Sequence, residues 1–317
     1  MTITTFDTEA QWLAARHQRI NSTEVAALFG LGSYATAFEI AVEKQQPAPS
    51  GFHESIRMRW GKRLQDAIAQ GVADDYGVII ESMDLVYGEH PKARLGSSFD
   101  YKILNTSEVR DQIIATMLDR HGAGILEIKN VDGLQFARNW LDGEAPPQIE
   151  IQLQTQLEVL DLSWGCIAAF IGGNRIETII RERDRKVGEA IVQRVNEFWA
   201  NLERGILPPP VMPEDADTII KLYQYAEPEK VYNGADDAEL AELCKCYAAA
   251  SENERGCAEA KKVLKAKILQ HIGSAERAVL PGFKVSAGMV AEAAMAYTRP
   301  AYRNFRVTEV RPKDGKP

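Results

Sequence analysis

Gly124-Ile125-Leu126-Glu127-Ile128-Lys129-Asn130 reads as a short strand. Its period-two alternation buries Leu126 and Ile128 on one side and puts Glu127 and Lys129 together on the other. Upstream, Phe99, Tyr101 and Ile103 alternate with Ser98, Asp100 and Lys102, so Asp100 points away from the apolar face. If the two strands pair, Asp100 and Glu127 converge on a hard divalent cation, which prefers oxygen ligands. Lys129 then lies where it can stabilise phosphate charge and ease the formation of hydroxide from water. An acidic pair with a lysine is the equipment of metal-dependent phosphodiester hydrolysis. Glu-x-Lys alone is common on solvated sheets, so the surrounding residues carry the weight.

The elements that must position these groups are legible from hydrophobic periodicity. Residues from Asp7 to Gly30 read as helical, with Trp12, Arg16 and Ile20 recurring every four positions, and Ala37–Lys44 as a short second helix. A longer helix is expected over Glu54–Tyr76, with Ile56, Trp60, Leu64, Ile68 and Val72 at i, i+4 spacing. Strands follow at Asp84–Tyr87, Leu95–Leu104 and Ile125–Asn130. Pro146-Pro147 precedes a helix over Gln148–Leu160. Strands Trp164–Ile171 and Arg175–Arg183 form a hairpin around Gly172-Gly173-Asn174, and a helix over Lys186–Glu203 closes the unit.

Pro208-Pro209-Pro210 marks a boundary, which divides the chain into 1–207 and 208–317. Beyond it a long helix or bent helical pair is expected over Ala235–Ile272, then strands near Arg277–Leu280, Phe283–Ala287 and Asn304–Val310. From Arg299 to the end, six basic residues (Arg299, Arg303, Arg306, Arg311, Lys313, Lys316) face two acidic ones, a tail able to track a nucleic-acid backbone.

Composition sets limits. The 317 residues are 45 % hydrophobic and 26 % charged, ordinary for a globular chain, and no apolar run approaches a membrane span. The start of the chain has no basic and apolar signal pattern, so a cytoplasmic location without membrane contact is expected. A formal net charge of −8 argues against a coat-like nucleic-acid binder, though an enzyme needs only a local cationic groove. Cys166, Cys244, Cys246 and Cys257 have neither zinc nor iron–sulfur spacing.

Taken in order, Trp12-x3-Arg16-x3-Ile20-Asn21-Ser22-Thr23-Glu24, Trp60-Gly61, Ser98-Phe99-Asp100, Glu127-Ile128-Lys129 and Gln152-Leu153-Gln154 resemble the YqaJ-type viral recombinases, the bacteriophage lambda exonuclease-like family of the PD-(D/E)xK nuclease superfamily. The resemblance runs from Asp7 to Glu203. It implies an α/β restriction-endonuclease-like core, a mixed central sheet of about five strands flanked by helices, with a C-terminal helical and small β extension. It makes Asp100 and Glu127 the carboxylate ligands of Mg²⁺ or Mn²⁺, the Ile128 carbonyl the backbone ligand and Lys129 the catalytic lysine. Gln152 would lie beside the metal, near the water or scissile phosphate. Arg16 with Ser22 and Thr23 would hold the 5′ phosphate of a DNA end.

Two departures qualify the match. Where the family has a metal-supporting Glu after Trp60-Gly61, this chain has Gln65. Three readings stay open: a tolerated Gln that still offers an oxygen, a weakened enzyme, or a helix shifted so that Asp66 serves; the first is favoured because Asp100, Glu127 and Lys129 survive. Relatives also carry Pro before the Asp and Gly after it, whereas Phe99 and Tyr101 stand here. The resemblance implies a 5′-to-3′ double-stranded DNA exonuclease of a phage or prophage recombination system. Such an enzyme leaves 3′ overhangs, works with a single-strand annealing protein and assembles as a homo-oligomer, a trimer in relatives. The alternatives are an endonuclease with the same site and a non-catalytic DNA-binding scaffold.

Overall fold

The computed structural model describes residues 2–32, 34–48, 54–105, 108–294, 298 and 301–308. In chain order, β1 (Thr2–Thr5), α1 (Glu9–His17), β2 (Ile20–Asn21), α2 (Ser22–Leu28), α3 (Ala37–Lys44) and α4 (Ile56–Tyr76) lead into β3 (Ile79–Ser82), β4 (Val86–Glu89), β5 (Leu95–Ser98) and β6 (Tyr101–Leu104). Then come α5 (Gln112–His121), β7 (Gly124–Val131), α6 (Gly133–Asn139), α7 (Pro147–Leu160), β8 (Trp164–Ile171), β9 (Arg175–Glu182), α8 (Arg185–Glu203) and α9 (Ala216–Leu222).

The central sheet has five strands in the order β3-β6-β7-β8-β9, mixed in direction, with only β7 and β8 parallel. A parallel pair needs a crossover, and α6 with α7 supplies it. Helices cover both faces. Ile125, Ile167 and Ile179 pack with Leu153 and Leu157 of α7 and with Val195 and Trp199 of α8. Leu126, Cys166 and Ala168 pack on the other side with Ala69 and Val72 of α4 and Ile114 and Leu118 of α5. This is the mixed α/β core expected from the sequence. A second sheet, β1-β4-β5-β2, lies beside it in the order of its pairings.

Two expected elements divide. The helix read over Asp7–Gly30 breaks at Ile20–Asn21, because Ile20 pairs with Leu95 in a short parallel strand. Asn21 then starts a new helix, with a capping box in which its backbone N–H donates to Glu24. The strand read over Leu95–Leu104 breaks at Phe99–Asp100, so that β5 belongs to the second sheet and β6 to the first. The strand read at Asp84–Tyr87 starts at Val86 instead, after Leu85 has turned through a positive φ of 56°. The strand near Asn304 is absent over residues 304–308; Glu309 and Val310, like Arg299, Arg311, Lys313 and Lys316 of the basic tail, lie outside the described residues.

The chain forms two compact units, residues up to Leu222 and residues from Tyr223. This division falls later than the 207/208 boundary. The segment after the prolines is tied to the first unit: buried Asp215 accepts from Thr36 Oγ1 at 2.5 Å, and Thr218 Oγ1 donates to Glu39 at 3.2 Å. The second unit contains α10 (Ala238–Ile272) and a hairpin of β10 (Arg277–Leu280) and β11 (Phe283–Ser286). Among the described residues, no helix is long and apolar enough to cross a membrane.

Gly124 has no room for a side chain: a Cβ there would lie 2.5 Å from the Trp164 ring. Gly124→Ala should therefore cost about 1–3 kcal/mol by overpacking. Leu153→Ala, which empties the contact between α7 and the sheet, should cost about 2–5 kcal/mol. Urea unfolding followed by far-ultraviolet circular dichroism checks both.

Candidate active site

The register that pairs Tyr101 with Leu126 and Lys102 with Ile125 sets Asp100 opposite Glu127, one residue beyond the end of β6. Asp100 extends that pairing with its side chain. Its Oδ2 accepts the Ile128 backbone N–H at 2.7 Å, and its Oδ1 accepts from Gln65 Nε2 at 3.0 Å. Gln65 thus reaches the site from α4, while Asp66 is turned away and accepts from the Tyr101 hydroxyl. Asp66 does not line the cleft, and the reading in which it replaces the missing Glu is dropped.

Glu127 is buried, with 3 % of its surface exposed. Its Oε1 accepts from Lys129 Nζ and Gln152 Nε2, both at 2.6 Å, and its Oε2 accepts from Gln156 Nε2 at 2.6 Å. Lys129 Nζ also donates to Gln152 Oε1 at 2.9 Å. Gln152 and Gln156 sit four apart on α7 and so share one face; the adjacent Leu153 and Leu157 pack into the core. Gln154, part of the Gln-x-Gln signature, points elsewhere: its amide bridges the Glu182 carbonyl and the Asp184 N–H.

Gln156 was not singled out from the sequence. Besides Glu127 it reaches the Ser98 carbonyl at 3.3 Å, and its own Oε1 is buried without a partner. The signal that could have found it is its i+4 relation to Gln152 on the same helix.

A second group of residues shares the cleft. Arg16 stacks over Trp12, with Cζ 4.5 Å from the ring centroid, and its Nη1 donates to Ser98 Oγ at 2.7 Å. Burial lowers the guanidinium below its ordinary pKa, against the opposing pull of Glu24. No carboxylate forms an ion pair with it among the described residues. Ser22 is buried and its hydroxyl accepts from Ser97 Oγ at 2.8 Å, Thr23 is exposed, and the buried Trp12 Nε1 has no acceptor. A buried, unmatched N–H beside an unpaired cation calls for an anionic ligand. Together with Gly61, Gln65, Asp100, Glu127, Ile128, Lys129 and Gln152, these residues line one cleft of about 300 Å³.

Electrostatics distinguish the two ends of the cleft. Burial, then the negative charge of Glu127, push the Asp100 carboxyl from 3.8 up to about 8, against the pull of Lys129 and the Ile128 N–H. Burial would lower the Lys129 ammonium, but Glu127 and Asp100 together hold it above its usual value. Among the described residues no three His, Cys, Asp or Glu side chains cluster as a metal site. The donors facing the cleft are two carboxylates, a backbone carbonyl at Ile128 and the side-chain amides of Gln65 and Gln152. Such an all-oxygen set suits a hard divalent cation, and two crowded carboxylates gain from the positive charge.

Residues 11–163 match the YqaJ-like viral recombinase domain. That match spans just under half of the chain. The protein YqaJ of Bacillus subtilis is 24 % identical over 221 residues, which cover 69 % of this chain and 64 % of that protein, less than two thirds of its length. Among solved structures, an alkaline exonuclease from Laribacter hongkongensis is 20 % identical, with a TM-score of 0.48 over 62 % of this chain and 93 % of that one. A phage-related exonuclease from Haemophilus somnus is 11 % identical, with a TM-score of 0.40 over 59 % and 94 %. The matched YqaJ-like domain contains every residue of the cleft named above.

The raised Asp100 pKa makes a prediction about the metal-free protein. A carboxyl that is neutral when folded and ionised when unfolded contributes stability that is fully present below 3.8 and lost as the pH rises through about 8. With divalent cations chelated, the thermal midpoint should fall across that window. Asp100→Asn should flatten the fall, as read by differential scanning fluorimetry.

Proposed function

We propose that this protein is a Mg²⁺- or Mn²⁺-dependent deoxyribonuclease that digests duplex DNA from a 5′-phosphorylated end and leaves a 3′ single strand. The observation that carries the reading is the pairing, in one cleft, of an oxygen-rich acidic centre with a cationic pocket that has no counter-ion. A terminal phosphate held by Arg16, Ser22, Thr23 and the Trp12 N–H would set the adjacent phosphodiester beside Asp100, Glu127 and Lys129. Polarity and product follow from the family resemblance, as does cooperation with a single-strand annealing protein.

Asp100, Glu127 and the Ile128 carbonyl would hold the cation, which when bound supplies Lewis acidity and a more acidic water. The chain's own residues do the rest. Lys129, kept charged by its carboxylate neighbours, is placed to stabilise negative charge as it grows on the scissile phosphate. Gln152, bonded to both Glu127 and Lys129, fixes the direction of each. Arg16, already desolvated against Trp12, binds phosphate without first shedding a carboxylate partner. Gln65 keeps an amide against Asp100 where the family has a carboxylate, so the site carries one negative charge fewer.

Digestion of 5′-phosphorylated linear duplex DNA and closed circular duplex DNA with Mg²⁺ tests the reading. Progressive loss of the linear substrate and an intact circle are expected, with activity of Lys129→Ala reduced at least about 100-fold. Arg16→Ala should abolish the preference for a 5′ phosphate over a 5′ hydroxyl. A nicked circle would instead mean an endonuclease. Failure to cut either substrate, with no Mn²⁺ heat in calorimetry, would mean a DNA-binding scaffold.

Gln156 yields a separate expectation. Removing its amide frees Glu127 Oε2 and breaks the link to Ser98. Gln156→Leu should weaken Mn²⁺ binding by about 10- to 100-fold in calorimetry, the range found when residues supporting a metal ligand are lost.

A further inference from the structure

The helix α10 has 35 residues and no buried residue. At 1.5 Å per residue it is about 52 Å long. Leu240, Leu243, Tyr247, Ala250, Cys257, Leu264, Ile268 and Ile272 recur at intervals of three and four, or their sum, and so form one stripe along it. Leu243 and Leu264 are 60 % and 59 % exposed, large apolar side chains that a soluble helix does not leave in water without reason. Two charged residues, Glu254 and Lys261, interrupt the stripe, at the positions where the three-four spacing would place apolar ones.

The charges of α10 are polarised along its length. From Ala238 to Glu254 there are four acidic residues (Glu239, Glu242, Glu252, Glu254) against Lys245. From Arg255 to Ile272 there are five basic residues (Arg255, Lys261, Lys262, Lys265, Lys267) against Glu259. Two such helices side by side in parallel would set like charge against like. Antiparallel, each acidic half meets a basic half, and the arrangement is self-complementary, as a two-fold interface requires.

We propose that α10 pairs antiparallel with α10 of a second copy of this chain, centred near Cys257. That register sets Glu254 of each copy against Lys261 of the other, so the two interruptions of the stripe neutralise one another. It also sets Leu243 against Ile272, while Tyr247 packs edge-on against Phe305 of its own chain at 5.2 Å. The pairing is independent of the nuclease reading and of any association through the first unit.

Light scattering on the full chain, combined with cross-linking by a short bismaleimide, tests the proposal. Cys257 should cross-link to Cys257 of the second copy, and Cys257→Ser should abolish the product. Cys244 and Cys246 should not self-link, because antiparallel pairing holds them about 40 Å and about 35 Å from their counterparts. Glu254→Lys and Lys261→Glu should each lower the apparent association constant at least tenfold, and the double exchange should restore it. Rescue by the double exchange separates a lost contact from a misfolded variant. A chain whose mass is unchanged by Glu254→Lys or by Leu264→Asp overturns the proposal, whether it is a monomer or associates elsewhere. Self-linking at Cys244 and Cys246 as strongly as at Cys257 would mean a parallel pair and would also overturn it.

Discussion

Two carboxylates held side by side out of bulk water, with one ammonium bonded to Glu127, are the constraint on which the first unit is built. Asp100 and Glu127 repel each other, and burial removes the solvent that would screen them. The fold answers with fixed donors. The Ile128 N–H and Gln65 serve Asp100, while Lys129, Gln152 and Gln156 serve Glu127. These donors come from α4, β7 and α7, which is why α7 must lie across the sheet at this point and why β6 must end where it does. The Ile128 N–H is taken by a carboxylate at the point where β6 stops.

The same packing joins the two ends of the cleft. Ser98 accepts from Arg16 through its hydroxyl and from Gln156 through its carbonyl, and Gln156 in turn holds Glu127. Ser98 thus stands two hydrogen bonds from Glu127, with Gln156 between them.

Much of this was legible in the residues, for identifiable reasons. Period-two alternation put Glu127 with Lys129 and turned Asp100 out from Phe99 and Tyr101, and the strand register brings all three together with Gln152. The hairpin around Gly172-Gly173 and the helix at Ala37–Lys44 fall where the sequence pattern puts them. What stayed hidden depends on distant partners. The break at Ile20–Asn21 exists because Leu95 offers a strand to pair with, which local periodicity cannot register. Helix α5 is short, and its start rests on the single cap Asp111. Gln156 looked like one more helix amide until the fold brought Glu127 beneath it. Gln154 had the stronger sequence signature and the weaker role, because a residue two positions from Gln152 on a helix faces away.

If this acidic chain acts on DNA as proposed, its attraction must lie where long-range charge does not matter. The net charge of −8 opposes DNA at a distance, but at physiological salt that repulsion fades over about 8 Å. Inside the cleft the balance reverses. Arg16 is desolvated before any ligand arrives and lacks a carboxylate to release, so a phosphate gains its full bidentate geometry with little reorganisation. The Trp12 N–H beside it is buried without a partner. On the proposed reading, capture of a terminal phosphate would rest on these short-range, desolvated contacts rather than on the charge of the whole surface.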